Sequence, residues 1–146
     1  MATIEDKIKA CDYVIANMLS EQARIVKKNE SKIIALNKMQ FIDGFGSDDK
    51  PLFNVLRQYK GYYSEGYKKQ GLYDFFETGA FQRNMYIFLK PDNETLFIDS
   101  SGKGTGEKVL FFNSYTNLFG LDTESERILN YEIILPELNQ WISKYL

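Results

Sequence analysis

The chain contains no histidine and only one cysteine, Cys11, among its 146 residues. Without histidine there is no Ser-His-Asp or Cys-His catalysis, no proton transfer by imidazole, and no use of the most common metal ligand. With one cysteine, no intrachain disulfide can form and a zinc site lacks its usual ligands. We therefore expect no cofactor, no metal and no enzymatic activity. Hydrolysis by paired carboxylates is the alternative for an enzyme, but no carboxylate pair stands out.

Long apolar runs and an excess of positive charge are also missing. No stretch of about 18 apolar residues is present, and no basic and apolar leader precedes a small-residue cleavage site. The formal net charge is -2, whereas dedicated nucleic-acid-binding proteins usually carry a basic patch. We expect neither a membrane-spanning nor a secreted protein, and no small-molecule substrate. A cytoplasmic location is expected, which also suits a component that is assembled into a particle there.

The residues that are present favour one folded domain over 1–146. Hydrophobic residues make up 44% of the chain and aromatic residues 15%, which argues against disorder and for a sizeable core. We find no internal repeat, low-complexity tract or linker.

The N-terminal segment is predicted to form one long amphipathic helix over residues 1–39. It contains neither proline nor glycine, and an interruption near Asn29 is the alternative. Cys11 lies on the apolar stripe and is predicted to be in the core. Gln22 and Asn29 interrupt the stripe, so a clean coiled coil is the lesser alternative. A helix of about 35 residues is roughly 50 Å long, so part of the stripe is free to serve a partner. The apolar side chains recur near helical spacing at Ile4, Ile8, Cys11, Ile15, Met18, Ile25, Ile33 and Leu36.

A β-hairpin is predicted over residues 81–100. The residues from Phe81 to Lys90 alternate between two faces, and a second strand follows from Thr95 to Asp99. One face carries Phe81, Arg83, Met85, Ile87 and Leu89, and the other carries Gln82, Asn84, Tyr86, Phe88 and Lys90. Between them, Pro91-Asp92-Asn93 has turn chemistry. A lone hairpin is marginal in water, so we expect it to pack on the long helix or to extend the sheet of a neighbouring chain.

C-terminal helices are predicted over residues 107–146. The first spans 107–115, the second is capped by Asp122 or Thr123 and runs to Leu135, and the last has Pro136 in its first turn and ends at Leu146. Together with the long helix and the hairpin, these segments predict an α+β fold.

Four further segments bear on a binding function. The glycine-rich loop 102–108 lacks phosphate-loop spacing, and the acidic loop 43–51 lacks calcium-loop order. The basic residues Arg24, Lys27, Lys28 and Lys32 allow a weak hypothesis of DNA contact. Tyrosines interleaved with lysines between Tyr59 and Tyr73 favour a protein-binding surface over the rim of a core.

Four pieces of the chain, in order, resemble a family of small virion proteins from tailed phages and prophages of Bacteroides-type bacteria. These belong to the tail-completion or minor tail group at the head–tail junction. The match spans residues 29–146, and the order and spacing of the pieces carry it. Two loops depart from the pattern: Asp49-Lys50-Pro51 replaces the usual Asp-Gly pair, and a basic, proline-rich insertion is absent. The matching residues are Asn29, Ile33, Leu36, Asn37, Gln40-Phe41 and Asp43-Gly44; Tyr63-Ser64-Glu65, Tyr67 and Lys68; Leu72, Thr78-Gly79, Phe81, Met85 and Ile98-Asp99-Ser100; and Tyr115, Phe119-Gly120-Leu121, Ile134, Pro136 and Tyr145-Leu146.

The resemblance implies a structural role in the virion. Copies of the chain would pack into a ring at the portal, neck or tail after assembly in the host bacterial cytoplasm, in contact with other portal, neck or tail proteins. The long helix and the hairpin edge are the expected ring contacts. The alternative is a cytoplasmic interaction module or regulator encoded by mobile DNA. The residues expected at structural or interface positions are Tyr63, Tyr67, Phe81, Phe119 and Leu121.

Overall fold

The computed structural model describes residues 1–50, 79–90, 92, 95–106, 109, 112–113 and 118–146. These residues form an α+β fold, as the sequence predicts. In chain order the elements are α1 (Ile4–Lys28), α2 (Glu30–Asp43), α3 (Ala80–Arg83), β1 (Met85–Leu89), β2 (Leu96–Ser100), α4 (Thr123–Ile128), a π-helical segment (Leu129–Ile134) and α5 (Leu135–Ser143).

The long N-terminal helix is present as two helices, because the chain breaks at Asn29. A capping box between Thr3 and Asp6 starts α1, and Gly44 ends α2 in a left-handed conformation with φ of 82°. Asn29 is buried, and its side-chain amide donates to the Ile25 carbonyl at 2.8 Å and to Glu137 Oε2 at 2.7 Å. The polar residue that interrupts the predicted stripe therefore forms a joint between α1, α2 and α5.

The Asn29 joint includes an ion pair between Lys28 and Glu137. The hydrogen bonds from Lys28 and Asn29 hold the pKa of Glu137 below its ordinary value of 4.5. A carboxyl group whose pKa is lower in the folded state stabilises the fold above its unfolded pKa, and this contribution is lost as the pH falls through the folded pKa.

We therefore expect acid to weaken the fold through Glu137. The free energy of unfolding, measured by urea denaturation from about pH 6 to about pH 3, should fall with pH less steeply in Glu137→Gln than in the unchanged chain. Glu124→Gln is the matched control, because the pKa of Glu124 is also lowered, here by Arg127, but both partners are well exposed and water screens such pairs. Equal slopes in the Glu137→Gln variant and the unchanged chain would contradict this role.

The hairpin is shorter than predicted at its start. Strands β1 and β2 pair antiparallel, with Met85 opposite Ser100 and Leu89 opposite Leu96. The prediction that Phe81 begins the strand is wrong, because Gly79, at φ of 84°, turns the chain into the single helical turn α3. From Met85 onward the predicted alternation is present: Met85 and Ile87 are buried, whereas Tyr86 and Phe88 are exposed.

The C-terminal helices form one continuous helical run from Thr123 to Ser143 rather than two helices separated at Pro136. Asp122 caps α4 by accepting from the Ser125 amide at 2.8 Å. Proline in a helix interior clashes with the carbonyl four residues earlier. Here the π-helical segment immediately precedes it, with the Leu135 amide bonded to the Asn130 carbonyl five residues back, and this wider turn accommodates the ring. The run ends at Ser143 rather than at Leu146, and most of the helix predicted over 107–115 lies outside the described residues.

Two buried clusters flank the inner half of α1. The first, which we call the hairpin core, joins α1 and α2 to the hairpin and to Leu118 and Leu129, with Val26, Ile33 and Phe41 among its buried members. The second, the α5 core, consists of Val14, Ile25, Leu138 and Trp141. Helix α1 contributes to both because Val26 and Ile25 lie on different sides of it.

Candidate protein-binding surface

The first three turns of α1 lie outside both cores, apart from Val14, which belongs to the α5 core. We call residues 4–15 the N-terminal arm and the side chains of Ile4, Ile8, Cys11 and Ile15 the arm stripe. The exposed fractions are 81% for Ile4, 55% for Ile8 and 74% for Ile15, and Cys11 is also exposed. The prediction that Cys11 lies in the core is wrong, because neither of the two cores formed by the described residues reaches this turn of the arm.

The inner half of α1 continues the same face, and there the face is covered. Gln22 and Val26 line a cleft together with Leu89, Leu96 and Leu129 of the hairpin and the C-terminal run. Val26 is 7% exposed. A single helical face is thus covered by the described residues along its inner half and left uncovered by them along its outer half. Exposed apolar strips of this kind are typical of interaction surfaces.

The base of the arm is held on a neighbouring face. Val14 is buried against Leu138 and Trp141, and the Tyr13 and Tyr145 ring centroids lie 4.8 Å apart. A hydrogen bond with Tyr145 raises the pKa of Tyr13. These contacts fix the direction in which the arm leaves the body without covering the stripe.

Charged side chains border the arm stripe on both sides. At the 100° turn of an α-helix, Lys7 falls on one side of the stripe, whereas Glu5 and Asp12 fall on the other. Asp6, on the far side, is held by the capping box, and its hydrogen bonds with Thr3 lower its pKa. The stripe is therefore an apolar strip between a positive and a negative border.

Three of the five residues expected at structural or interface positions lie around the hairpin core. Phe81 is 4% exposed and its ring centroid is 5.7 Å from that of Phe119. Phe119 and Leu121 are half-buried against the same core, and both line a groove of about 480 Å³ beside β2. Tyr63 and Tyr67 lie outside the described residues. An interface role for these positions stays a prediction.

Two buried amides on α2, which we call the amide clamp, have a role that sequence reasoning missed. Asn37 donates to the Leu118 carbonyl at 3.3 Å and accepts from the Gly120 amide at 3.2 Å. Gln40 donates to the Gly120 carbonyl at 3.0 Å and accepts from the Asp122 amide at 2.9 Å. Their spacing of three residues on the apolar face of a helix is the signal that could have identified them. The clamp joins two pieces of the family resemblance, residues 37–41 and 119–121, in one structural unit.

The basic residues considered for DNA contact are partly neutralised. Arg24 pairs with Glu21 and Lys28 with Glu137, whereas Lys27 and Lys32 are exposed. Two of the four cations thus already have an acidic partner within the chain.

The described part of the chain holds no group of three or more acidic or cysteine side chains arranged to bind a metal ion. Nor does any helix in it combine the length and apolar character needed to cross a membrane. Comparison of the chain with protein-family models, curated proteins and solved structures finds no match.

Proposed function

We propose that this protein is a non-enzymatic assembly component that docks through its N-terminal arm. On the family resemblance, its place is the neck or tail of a phage particle, as part of a head–tail connector or tail-completion ring. The observation that carries the docking function is the arm stripe, an apolar surface that this chain covers along the inner half of the same helix face and leaves open on the outer half.

Two further features of the arm support a docking function. Three large apolar side chains, Ile4, Ile8 and Ile15, remain more than half exposed, at a cost that burial against a partner would remove. The arm begins with a capping box, so its helix is preformed and little conformational entropy is lost on binding.

The first experiment is quantitative mass spectrometry of purified phage particles from the source culture. A low, fixed ratio of this chain to the major capsid protein is expected for a neck or tail component. Absence from particles, together with abundance in the lysate, would overturn the virion role. The same arm would then favour the alternative, a cytoplasmic interaction module or regulator encoded by mobile DNA.

Incorporation should depend on the arm stripe. We expect Ile8→Asp to reduce the amount of chain in particles by at least ~10-fold, because it places a charge in a surface that must be buried. Its melting temperature should remain within about 2 °C, since exposed substitutions change stability little. Ala16→Asp is the matched control, since Ala16 is exposed and lies about 100° around the helix from Ile15, outside the arm stripe. Normal incorporation of Ile8→Asp into particles would show that docking does not depend on the arm stripe.

A further inference from the structure

We infer that the occupant of the arm stripe is the N-terminal arm of another copy of this chain, paired in parallel and in register. Copies would then form a short helical bundle about a common axis. This inference rests on the proposed assembly function and specifies its partner and its geometry.

The spacing of the stripe is that of a helix-pairing seam. Ile4, Ile8, Cys11 and Ile15 are separated by four, three and four residues, which is the alternation of the two core positions in a heptad repeat. The spacing continues through Met18, Gln22, Ile25 and Asn29, but there the chain covers the helix itself, since Ile25 and Asn29 are buried. The part of the seam that another helix can reach is therefore the arm.

The arm stripe has little tertiary support in the described part of the chain. Among residues 1–13 none is buried, and the arm is held as a helix by its capping box and by its continuity with the rest of α1. Packing against equivalent arms would supply the missing tertiary contacts on the one face that is apolar.

The charged borders favour a parallel arrangement of identical arms. In a parallel pair, a residue just before one core position faces the residue five places later in the partner. Lys7 then faces Asp12 of the other copy, and by symmetry this opposite-charge contact repeats at every neighbour. In an antiparallel pair, the acidic borders would instead meet, placing Glu5 near Asp12 of the other copy, which is repulsive.

The composition of the seam favours a closed bundle of more than two helices. Isoleucine occupies both kinds of core position, with Ile8 and Ile15 in one and Ile4 in the other, and this combination shifts parallel coiled coils beyond two strands. In such a bundle each arm contacts its neighbours by the same heterologous interface, and the rotation closes around the axis.

Sedimentation equilibrium of the full chain tests the pairing itself. We expect the unchanged chain and Ala16→Asp to associate in a concentration-dependent manner. Ile8→Asp should associate at least ~100-fold more weakly, because the carboxylate introduced into every copy would be buried in the seam without a partner. Association that Ile8→Asp leaves unaltered would overturn the proposal, since it would run through another surface.

Charge reversal and cross-linking test the direction of pairing. Asp12→Lys should weaken association in a parallel bundle, where it faces Lys7, whereas it would strengthen an antiparallel pair by facing Glu5. A chain carrying Ile4→Cys and Cys11→Ala should form disulfide-linked dimers on mild oxidation, because position 4 lies beside its equivalent. In an antiparallel pair these positions are about 16 Å apart, so absence of the cross-link in an associating chain would overturn the parallel geometry.

Together with the particle analysis, these experiments distinguish a failure of the pairing between copies from a failure of the proposed function on which it rests. A chain that stays monomeric up to its solubility limit, yet enters particles in an Ile8-dependent manner, would overturn pairing between copies and retain docking to a different protein. A chain that associates through its arms but is absent from particles would support the pairing and overturn the virion role.

Discussion

Phe81→Ala should lower the free energy of unfolding of the isolated chain by about 3–5 kcal/mol, the usual cost of removing a buried phenylalanine ring. The Phe81 side chain is 4% exposed, stacks on Phe112 with ring centroids 4.2 Å apart, and contacts the rings of Phe41 and Phe119. A loss of this size is a large part of the stability of an ordinary domain. Chemical denaturation followed by circular dichroism would measure it.

Phe88→Ala provides the control for Phe81. The same ring is removed, here from strand β1 instead of α3, but Phe88 is 44% exposed and its main partner is Phe97, at 4.9 Å. A loss of about 1 kcal/mol or less is expected there, the value of a cross-strand aromatic pair. If Phe81→Ala left the isolated chain as stable as Phe88→Ala does, Phe81 would not be a core residue, and its interface role would gain support.

Gln40→Ala should cost about 2–4 kcal/mol, although it removes a polar side chain. Its amide satisfies the Gly120 carbonyl and the Asp122 amide, and at 3% exposure water cannot easily replace it. A buried backbone group left without a hydrogen bond costs about 1–3 kcal/mol, and here two part-buried groups lose their partner. Urea denaturation measures the effect on stability.

The comparison for Gln40 is Gln140→Ala, which removes the same side chain from an exposed position in α5. Its effect should lie within about 0.5 kcal/mol of zero. Hydrogen exchange adds a local readout, because the amides of Gly120 and Asp122 should lose protection in Gln40→Ala. Full protection of both amides in this variant would show that the amide clamp does not hold the segment that leads into α4.

The parts of the fold that could be predicted are those encoded by local pattern. The alternation from Met85 to Leu89 indicated a strand, and Asp122 indicated the start of a helix by its capping chemistry. Phe81 was assigned to the strand because its apolar side chain falls on the same alternating face as Met85 and Ile87. In the structure Phe81 is buried as part of a helical turn, and over so few residues the sequence pattern does not distinguish such a turn from a strand. The π-helical segment before Pro136 has no local sequence signature of its own.

The candidate site depends on tertiary relations that periodicity does not contain. The apolar stripe of α1 is continuous in sequence, so nothing local shows that Ile25 is buried while Ile15 and Cys11 are exposed. That difference arises because the hairpin and α5 pack against the inner half of α1 and leave the arm stripe uncovered. The expectation that part of the stripe could serve a partner came from helix length alone. The amide clamp was missed for the same reason, since the partners of Asn37 and Gln40 are some 80 residues away in the chain.

The continuity of helix α1 has a consequence for the orientation of the whole fold. The arm and the inner half of α1 share one uninterrupted ladder of backbone hydrogen bonds, and the inner half is anchored in two cores through Val26 and Ile25. A flexible linker would let the rest of the chain rotate freely relative to the arm. A helix that is packed on two sides instead moves together with the rest of the fold. Any partner that fixed the direction of the arm would therefore also fix the orientation of the hairpin and the C-terminal helices.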